Sequence, residues 1–255
     1  MTAKVDFGLV ADDYQRHRLG FPSSFITRLQ NDAVLLSGKR VLDIATGTGS
    51  LAHDMAQIGC DVIGLDISSS MIQKARHRNT DLRRPVKYLV SRAESLPFEA
   101  EMFDVVTIGQ AWHWFDRSRA AAETYRILKP KGKIVIAHFD WIPLRGNVVE
   151  ATEHLIKTFN PDWNMDGGTG LYPAWFSDIA IANFGSITSF SFDLDVDYTH
   201  EAWCGRIRAS AGVGASLSAT DAMTFDVMLR ALLTKEFSAD PLKVAHRVFA
   251  VVGEK

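Results

Sequence analysis

The stretch that decides the fold reads Val41-Leu42-Asp43-Ile44-Ala45-Thr46-Gly47-Thr48-Gly49. Its first residues form a short apolar run, which is typical of a buried parallel strand. Beyond the glycines, apolar residues recur at helical spacing from Leu51 to Ile58. The stretch therefore predicts a strand, a tight loop and a helix. Gly47 and Gly49 supply the positive φ and the close ligand approach that such a loop needs.

A second predicted strand, Asp61 to Asp66, ends in an acid about seventeen residues after Gly49. A carboxylate at the end of the second strand can accept hydrogen bonds from both hydroxyls of a ribose. The helix after the glycine loop points its free N–H groups at the same place. The opening half of the chain therefore predicts a nucleoside site.

The loop leaves two kinds of nucleoside open. Gly47-Thr-Gly-Ser-Leu-Ala52 satisfies the relaxed G-x-G-x-x-A pattern of dinucleotide enzymes, so an NAD-dependent oxidoreductase is one alternative. Asp43 favours another ligand, because a carboxylate at the mouth of the site suits a cationic or amino-bearing group and repels a pyrophosphate.

Four stretches in order and at matching spacing resemble the class I S-adenosylmethionine-dependent methyltransferases of the type 11 kind. These stretches are Val41 to Gly49, Ser91-Arg-Ala-Glu-Ser-Leu-Pro-Phe98, Phe103-Asp-Val-Val-Thr-Ile108 and Leu128-Lys-Pro-Lys-Gly-Lys-Ile-Val-Ile136. Ala45 departs from the pattern, since the family usually has a glycine there. We expect a slightly tighter loop and a retained site.

The resemblance implies an α/β, Rossmann-like fold. The sheet would have seven mostly parallel strands in the order 3-2-1-4-5-7-6, with the last strand antiparallel and helices on both faces. The alternation of strand and helix patterns from 40 to 140 independently predicts a parallel sheet. We expect an N-terminal lid and capping helix over 1–36, the methyltransferase domain over 37–255, and a helical insertion on the substrate side at about 199–240.

The leader Tyr14-Gln-Arg-His-Arg-Leu-Gly-Phe-Pro22 resembles a motif of small-molecule methyltransferases that folds over the cofactor as a lid. A frayed terminus is the alternative. The resemblance implies S-adenosyl-L-methionine as cofactor, with a set of contacts that includes the leader. The implied cofactor-binding residues are Tyr14, Arg18, Asp43, Ala45, Gly47, Gly49, Asp66, Ile67, Met71, Ala93, Glu94 and Gln110.

The reacting end is expected in the segment from Gly109 to Phe115, where the implied strand order reverses. His113 is the candidate base for a hydroxyl or amine acceptor, together with Gln110 as a catalytic residue. A carboxylate acceptor would need no base. Trp112 and Trp114 predict an aromatic wall beside a sulfonium. An aromatic face attracts such a cation by roughly 0.5–2 kcal/mol. The alternative is that both rings pack against a hydrophobic edge.

The leader and the segment around His113 resemble the branch that contains trans-aconitate-type carboxyl methyltransferases. That branch suggests an arginine that orients an anionic acceptor by bidentate hydrogen bonds. Arg206 and Arg208 are the candidates for substrate binding, and at most one can face a pocket because residues two apart on a helix point to different sides. Arg18 competes for this role, and a solvated helix is the alternative for both arginines.

Chain length and net charge limit which other functional classes and partners are expected. The chain has 255 residues, 47% of them hydrophobic, and a formal net charge of −2. It can bury a substantial core, and it lacks the concentrated basic face of a nucleic-acid binder. We expect a small-molecule substrate, no nucleic-acid partner, no membrane partner, and a monomer or homodimer.

Cys60 and Cys204 fit neither a C-x-x-C motif nor a disulfide framework, and the N-terminus has no signal pattern. A cytoplasmic location is therefore predicted. The histidines show no metal-ligand spacing, and we expect no metal. A protein that binds the cofactor without turnover is the third functional alternative.

Overall fold

A computed structural model describes residues 20–77, 85–214 and 216–255. The predicted lid, with Tyr14 and Arg18, lies outside these ranges. Within the described ranges the chain forms one sheet of seven strands. The strands are β1 (Arg40–Ile44), β2 (Asp61–Asp66), β3 (Lys87–Val90), β4 (Phe103–Gly109), β5 (Leu128–Trp141), β6 (Gly185–Tyr198) and β7 (Leu242–Glu254).

The strand order is β3-β2-β1-β4-β5-β7-β6, which confirms the order implied by the resemblance. β1 is central and pairs in parallel with both β2 and β4, so that Asp43 lies opposite Gly64 on one side and Thr107 on the other. β7 runs antiparallel to β5, because Ile142 pairs with Ala245 whereas Gly132 pairs with the end of the chain. The carboxyl ends of β1, β2, β3 and β4 consequently meet at one edge.

Helices follow the strands as the apolar periodicity predicts. Ser68 caps the helix after β2, its hydroxyl accepting from the Met71 N–H (3.4 Å), and Asp116 caps the helix after β4, accepting from the Arg119 N–H (3.2 Å). The helices are α1 (Ser23–Asn31), α2 (Ser50–Gln57), α3 (Ser69–His77), α4 (Arg117–Ile127), α5 (Val148–Phe159), α6 (Ala174–Ile181), α7 (His200–Arg208) and α8 (Ala219–Glu236), with a 3₁₀ turn at Trp112–Trp114.

The junction between α4 and β5 differs from the prediction. The sequence predicts that residues 129–132 end the helix and that the strand begins at 133. The helix does end at Ile127, but the strand begins at Leu128. Its pairing with β4 is irregular, since Phe103 faces Leu128 whereas Val105 faces Lys133. The four intervening residues bulge out of register, and Lys131 takes a positive φ of 64° there.

The described residues divide into two compact units. The core unit comprises 20–139, 172–192 and 248–255, and the second unit comprises 140–171 and 193–247. Each has its own hydrophobic cluster: Leu42, Phe103 and Ile136 are fully buried in the core unit, and Trp203 and Phe225 are fully buried in the second. Burial of one such side chain contributes about 1.5–3 kcal/mol. The predicted insertion, α7 and α8, belongs to the second unit.

Candidate functional site

The loop between β1 and α2 is built from three residues in the left-handed region. Ala45, Gly47 and Gly49 have φ of 55°, 56° and 77°. The two glycines take the conformation that the sequence predicts for them. Ala45 adopts the conformation that glycine would adopt at little cost, and an L-residue pays about 1–2 kcal/mol for it. The loop therefore follows the backbone path expected with a glycine at position 45, and the backbone is strained at Ala45.

The two loop glycines meet different surroundings. A Cβ added at Gly47 would have no heavy atom of the described residues within 4 Å, so these residues leave the space above Gly47 open. A Cβ at Gly49 would collide with the Tyr88 hydroxyl and lie 3.1 Å from the Ala75 Cβ. The prediction that both glycines make room for a ligand therefore needs correction. At Gly49 the room is taken by a side chain of β3.

Asp66 joins the end of β2 to this loop. Its carboxylate accepts from the Gly47 N–H (2.9 Å) and from the Ser68 N–H (2.8 Å), and the residue is 9% exposed. Burial raises the pKa of Asp66, and the backbone hydrogen bonds partly offset this effect. An ionised carboxylate offers about four acceptor positions. Asp66 can therefore hold the loop and still accept from a bound hydroxyl.

Asp43 does not face the mouth of the site, contrary to the prediction. It is 2% exposed, and its two oxygens accept from the Thr46 hydroxyl (2.6 Å) and the Thr107 hydroxyl (2.7 Å). Burial raises the pKa of Asp43 to about 6 despite these two hydrogen bonds. The carboxyl group lies beneath the loop and ties it to β4, because the parallel register brings Thr107 opposite Asp43. Its part in cofactor binding stays a prediction.

Four further residues of the predicted cofactor-binding set comprise one exposed and three sheltered side chains. Ile67, next to Asp66, is 61% exposed, whereas Met71 and Ala93 are each buried. The Glu94 carboxylate accepts a hydrogen bond from the Asp116 N–H (3.2 Å), which connects the turn after β3 to the start of α4. Ile67 thus offers an apolar surface beside the carboxylate of Asp66.

The reacting end begins with Gln110, which follows β4 with a φ of 58° and donates its N–H to the Ala137 carbonyl (2.8 Å). His113 lies exposed in the 3₁₀ turn. Its ring centroid is 4.6 Å from that of Trp114 and 5.5 Å from that of His138. The structure therefore brings the candidate base and a second imidazole together beside the carboxyl end of β4.

Trp112 is not part of an exposed wall, and its predicted contact with substrate is wrong for this conformation. The side chain is fully buried in the core cluster, and its indole N–H donates to Asp178 (2.9 Å) of α6. A ring without accessible surface cannot touch a substrate. Trp114 is 47% exposed and stays a candidate for substrate binding.

Two residues of this end were missed by sequence reasoning. The sequence gives His138 no predicted role, although its place on an interior strand, level with the carboxyl end of β4, is a signal for function. Tyr172 lies in a stretch that the sequence predicts as irregular, and nothing in its local pattern marks it. The Tyr172 hydroxyl and Nδ1 of His138 share a hydrogen bond (3.2 Å).

The second unit holds the two predicted arginines, which point in different directions as expected from their spacing. Arg206 is buried, with its guanidinium 4.5 Å from the centroid of the Trp141 ring. Arg208 forms ion pairs with Asp226 (2.6 Å) and Glu201 (3.4 Å) on α8 and α7. Whether either arginine binds substrate stays a prediction.

Residues 20–77, 85–214 and 216–255 contain no cluster of three or more His, Cys, Asp or Glu side chains placed to hold a metal ion. In the same described part of the chain, no helix has the length and apolar character needed to cross a membrane.

Cys60 and Cys204 are buried free thiols, and burial raises the pKa of each to about 11.

Residues 42–136 match a family model described as a methyltransferase domain. An uncharacterised methyltransferase of Mycobacterium tuberculosis is 34% identical over 130 residues, which are 51% of this chain and 50% of the relative. The demethylmenaquinone methyltransferase of Renibacterium salmoninarum is 39% identical over 114 residues, which are 44% of this chain and 46% of the relative. The chain thus matches about half the length of each relative.

The fold is shared over nearly its whole length with a provisionally assigned type II methyltransferase of Anaeromyxobacter dehalogenans. The TM-score is 0.66 at 21% identity, and the match covers 93% of this chain and 97% of the other. The matched domain and these similarities do not favour the NAD-dependent alternative.

Proposed function

We propose that this protein transfers a methyl group from S-adenosyl-L-methionine to a small-molecule acceptor. The observation that carries the proposal is the arrangement around Asp66: a carboxylate at the end of β2, tied to the Gly47 N–H, beside the open space above Gly47. The methyltransferase domain matched over 42–136 supports the same activity.

The described residues fit an adenosyl cofactor. Asp66 would accept from the ribose hydroxyls, and the exposed side chain of Ile67 would cover an apolar face of the adenine. The open space above Gly47 would let the cofactor approach the main chain. Asp43 would act from below by holding the loop through Thr46.

S-adenosylmethionine, when bound, supplies an electrophilic methyl group on a sulfonium. Transfer is an in-line displacement at carbon, so the chain needs no covalent intermediate of its own. Its residues contribute by orientation, which can lower a barrier by about 7–11 kcal/mol. Exposed Trp114 and His113 stand at the reacting end, where His113 would accept the proton of a hydroxyl or amine.

The acceptor we propose is a carboxylate or a hydroxyl compound. The trans-aconitate-type resemblance favours a carboxylate, with Arg206 and Arg208 as the candidates for holding an anion. The Renibacterium relative is named as a demethylmenaquinone methyltransferase, so an electron-rich ring belongs in the same test panel. We propose a monomer or homodimer with no nucleic-acid partner.

Calorimetry with S-adenosylhomocysteine tests the cofactor site. Asp66→Ala should weaken binding by about 1–3 kcal/mol, or roughly 5- to 150-fold, because the ribose hydroxyls lose their acceptor. Asp61→Asn, at the exposed opposite end of the same strand, is the matched control and should leave binding unchanged. Binding of NADH in place of S-adenosylhomocysteine, or equal affinity in the Asp66 variant, would contradict the proposal.

Methyl-labelled S-adenosylmethionine identifies the acceptor class. Incubation with small tricarboxylates, phenols and hydroquinones, followed by mass spectrometry, should give labelled esters or ethers. A labelled ring carbon would move the acceptor to the quinone class. Retained cofactor binding without label in any compound would favour the non-catalytic alternative.

A further inference from the structure

Strand β5 carries, level with the carboxyl end of β4, an imidazole to which the proposed function gives no role. Ala137 pairs with Gly109 of β4, and the next residue of β5 is His138. The Gln110 N–H donates to the Ala137 carbonyl, so the turn that leads to His113 starts beside His138. The ring centroids of the two histidines are 5.5 Å apart, with an interplanar angle of 57°.

His138 is fixed by its neighbours in the core unit. It is 6% exposed, and its Nδ1 shares the hydrogen bond with the Tyr172 hydroxyl. A phenol is the stronger donor of the two neutral groups, which favours a bond in which Tyr172 donates to Nδ1 and the ring proton of His138 is on Nε2. Tyr172 is itself held by stacking on buried Trp175, with centroids 4.4 Å apart and planes within 6°.

The two histidines differ in how they are held. His138 is enclosed and bonded to a side chain that is stacked in place, whereas His113 is exposed on a short 3₁₀ turn. Two rings at this centroid distance and angle lie within the range of packed aromatic pairs, so the held ring of His138 limits the positions open to the ring of His113.

We propose that His138, held by Tyr172, is a positioning residue that fixes the orientation of the His113 ring by packing against it. The inference rests on the proposed function, in which His113 serves an acceptor that brings a proton. As the acceptor oxygen or nitrogen bonds to the methyl carbon, the carbon–sulfur bond breaks and its electron pair stays on sulfur. The acceptor proton passes to His113 and then to solvent, so atoms and charge balance.

NMR of the full chain labelled with ¹⁵N-histidine, with S-adenosylhomocysteine present, tests this arrangement. Tyr172→Phe removes the hydroxyl and keeps the stacked ring, and the tautomer ratio of His138 should change by about five-fold, the equivalent of ~1 kcal/mol. The ring signals of His113 should move in the same variant. They should move in His138→Gln as well, and they should stay in place in His154→Gln, an exposed histidine of α5.

Unchanged His113 signals in both Tyr172→Phe and His138→Gln would overturn the inference and make His138 a core residue. If Tyr172→Phe does not fold, the His113 signals of His138→Gln decide by the same criterion. Failure of the wild-type chain to bind S-adenosylhomocysteine is a separate outcome and contradicts the proposed function instead. The calorimetry and the spectra therefore report on the two proposals independently.

Discussion

Alanine substitutions at Gly47 and at Gly49 should rank differently in two assays. Gly49→Ala should lose more stability, and Gly47→Ala should lose more affinity for the cofactor. Gly47 and Gly49 both have positive φ, and the backbone cost of about 1–2 kcal/mol for an L-residue is partly offset by about 0.4–1 kcal/mol of lost freedom in the unfolded chain. Gly47→Ala should therefore lower the free energy of unfolding by only about 1 kcal/mol, since its Cβ meets nothing.

Gly49→Ala carries an additional packing cost. The new Cβ would collide with the Tyr88 hydroxyl and crowd the Ala75 Cβ. Overpacking of this kind costs about 1–3 kcal/mol, so the total loss should be about 2–4 kcal/mol. Tyr88→Phe in the same chain removes the nearest colliding atom and should restore part of the loss. Urea unfolding measures all three variants.

The affinity for S-adenosylhomocysteine should fall more in Gly47→Ala than in Gly49→Ala. The Cβ of Gly47→Ala would occupy the space proposed for the cofactor, and we expect at least about a ten-fold weaker affinity, or about 1.4 kcal/mol. Gly38→Ala is the matched control, because Gly38 also has a positive φ (84°), lies outside the loop, and has no atom of the described residues within 4 Å of an added Cβ. It should lose as much stability as Gly47→Ala and bind normally. Equal unfolding free energies for the two loop variants, or normal binding in Gly47→Ala, would refute the reasoning.

Three further predictions concern the same unit. The raised pKa of Asp43, about 6, means that its neutral form stabilises the fold below its ordinary value of 3.8 and that this contribution is lost as pH rises through 6. The free energy of unfolding of Asp43→Asn, relative to that of the wild type, should therefore rise by on the order of 3 kcal/mol from pH 4 to pH 7.5 in urea unfolding. A difference that does not change with pH would contradict the assignment. Ala45→Gly should raise the melting temperature, because relief of the left-handed strain is worth about 0.5–1 kcal/mol after the entropy cost of glycine; a lower melting temperature would argue against that strain. Asp178→Ala leaves the buried indole N–H of Trp112 without this acceptor and should cost about 1–3 kcal/mol in urea unfolding, whereas a neutral effect would show that the bond is dispensable.

Local pattern predicted most of the sheet and the course of the loop. Apolar runs and glycines are short-range signals, and they placed β1, β2 and the loop between β1 and α2. The resemblance supplied the strand order, which periodicity alone does not give. Helix α6 has no counterpart in the predictions, because it follows a glycine-rich and aromatic stretch that has no helical start signal.

The errors in the site arise from long-range packing. Asp43 was expected at the mouth, but one of its two partners is Thr107, which only the β1–β4 register brings near. Trp112 and Trp114 are two residues apart with the same chemistry, yet one is fully buried and the other is half exposed. The pairing of His138 with Tyr172 spans 34 residues and follows no local signal.

The bond from Gly47 to Asp66 has a consequence for redesign. One carboxylate both shapes the glycine loop and supplies the proposed ribose acceptor, so neither can be altered alone. A glutamate at position 66 would keep the charge but push the oxygens outward by one methylene and release the loop amide. Any attempt to give this scaffold a different nucleotide preference would have to exchange the acid and rebuild the β1 turn in the same step.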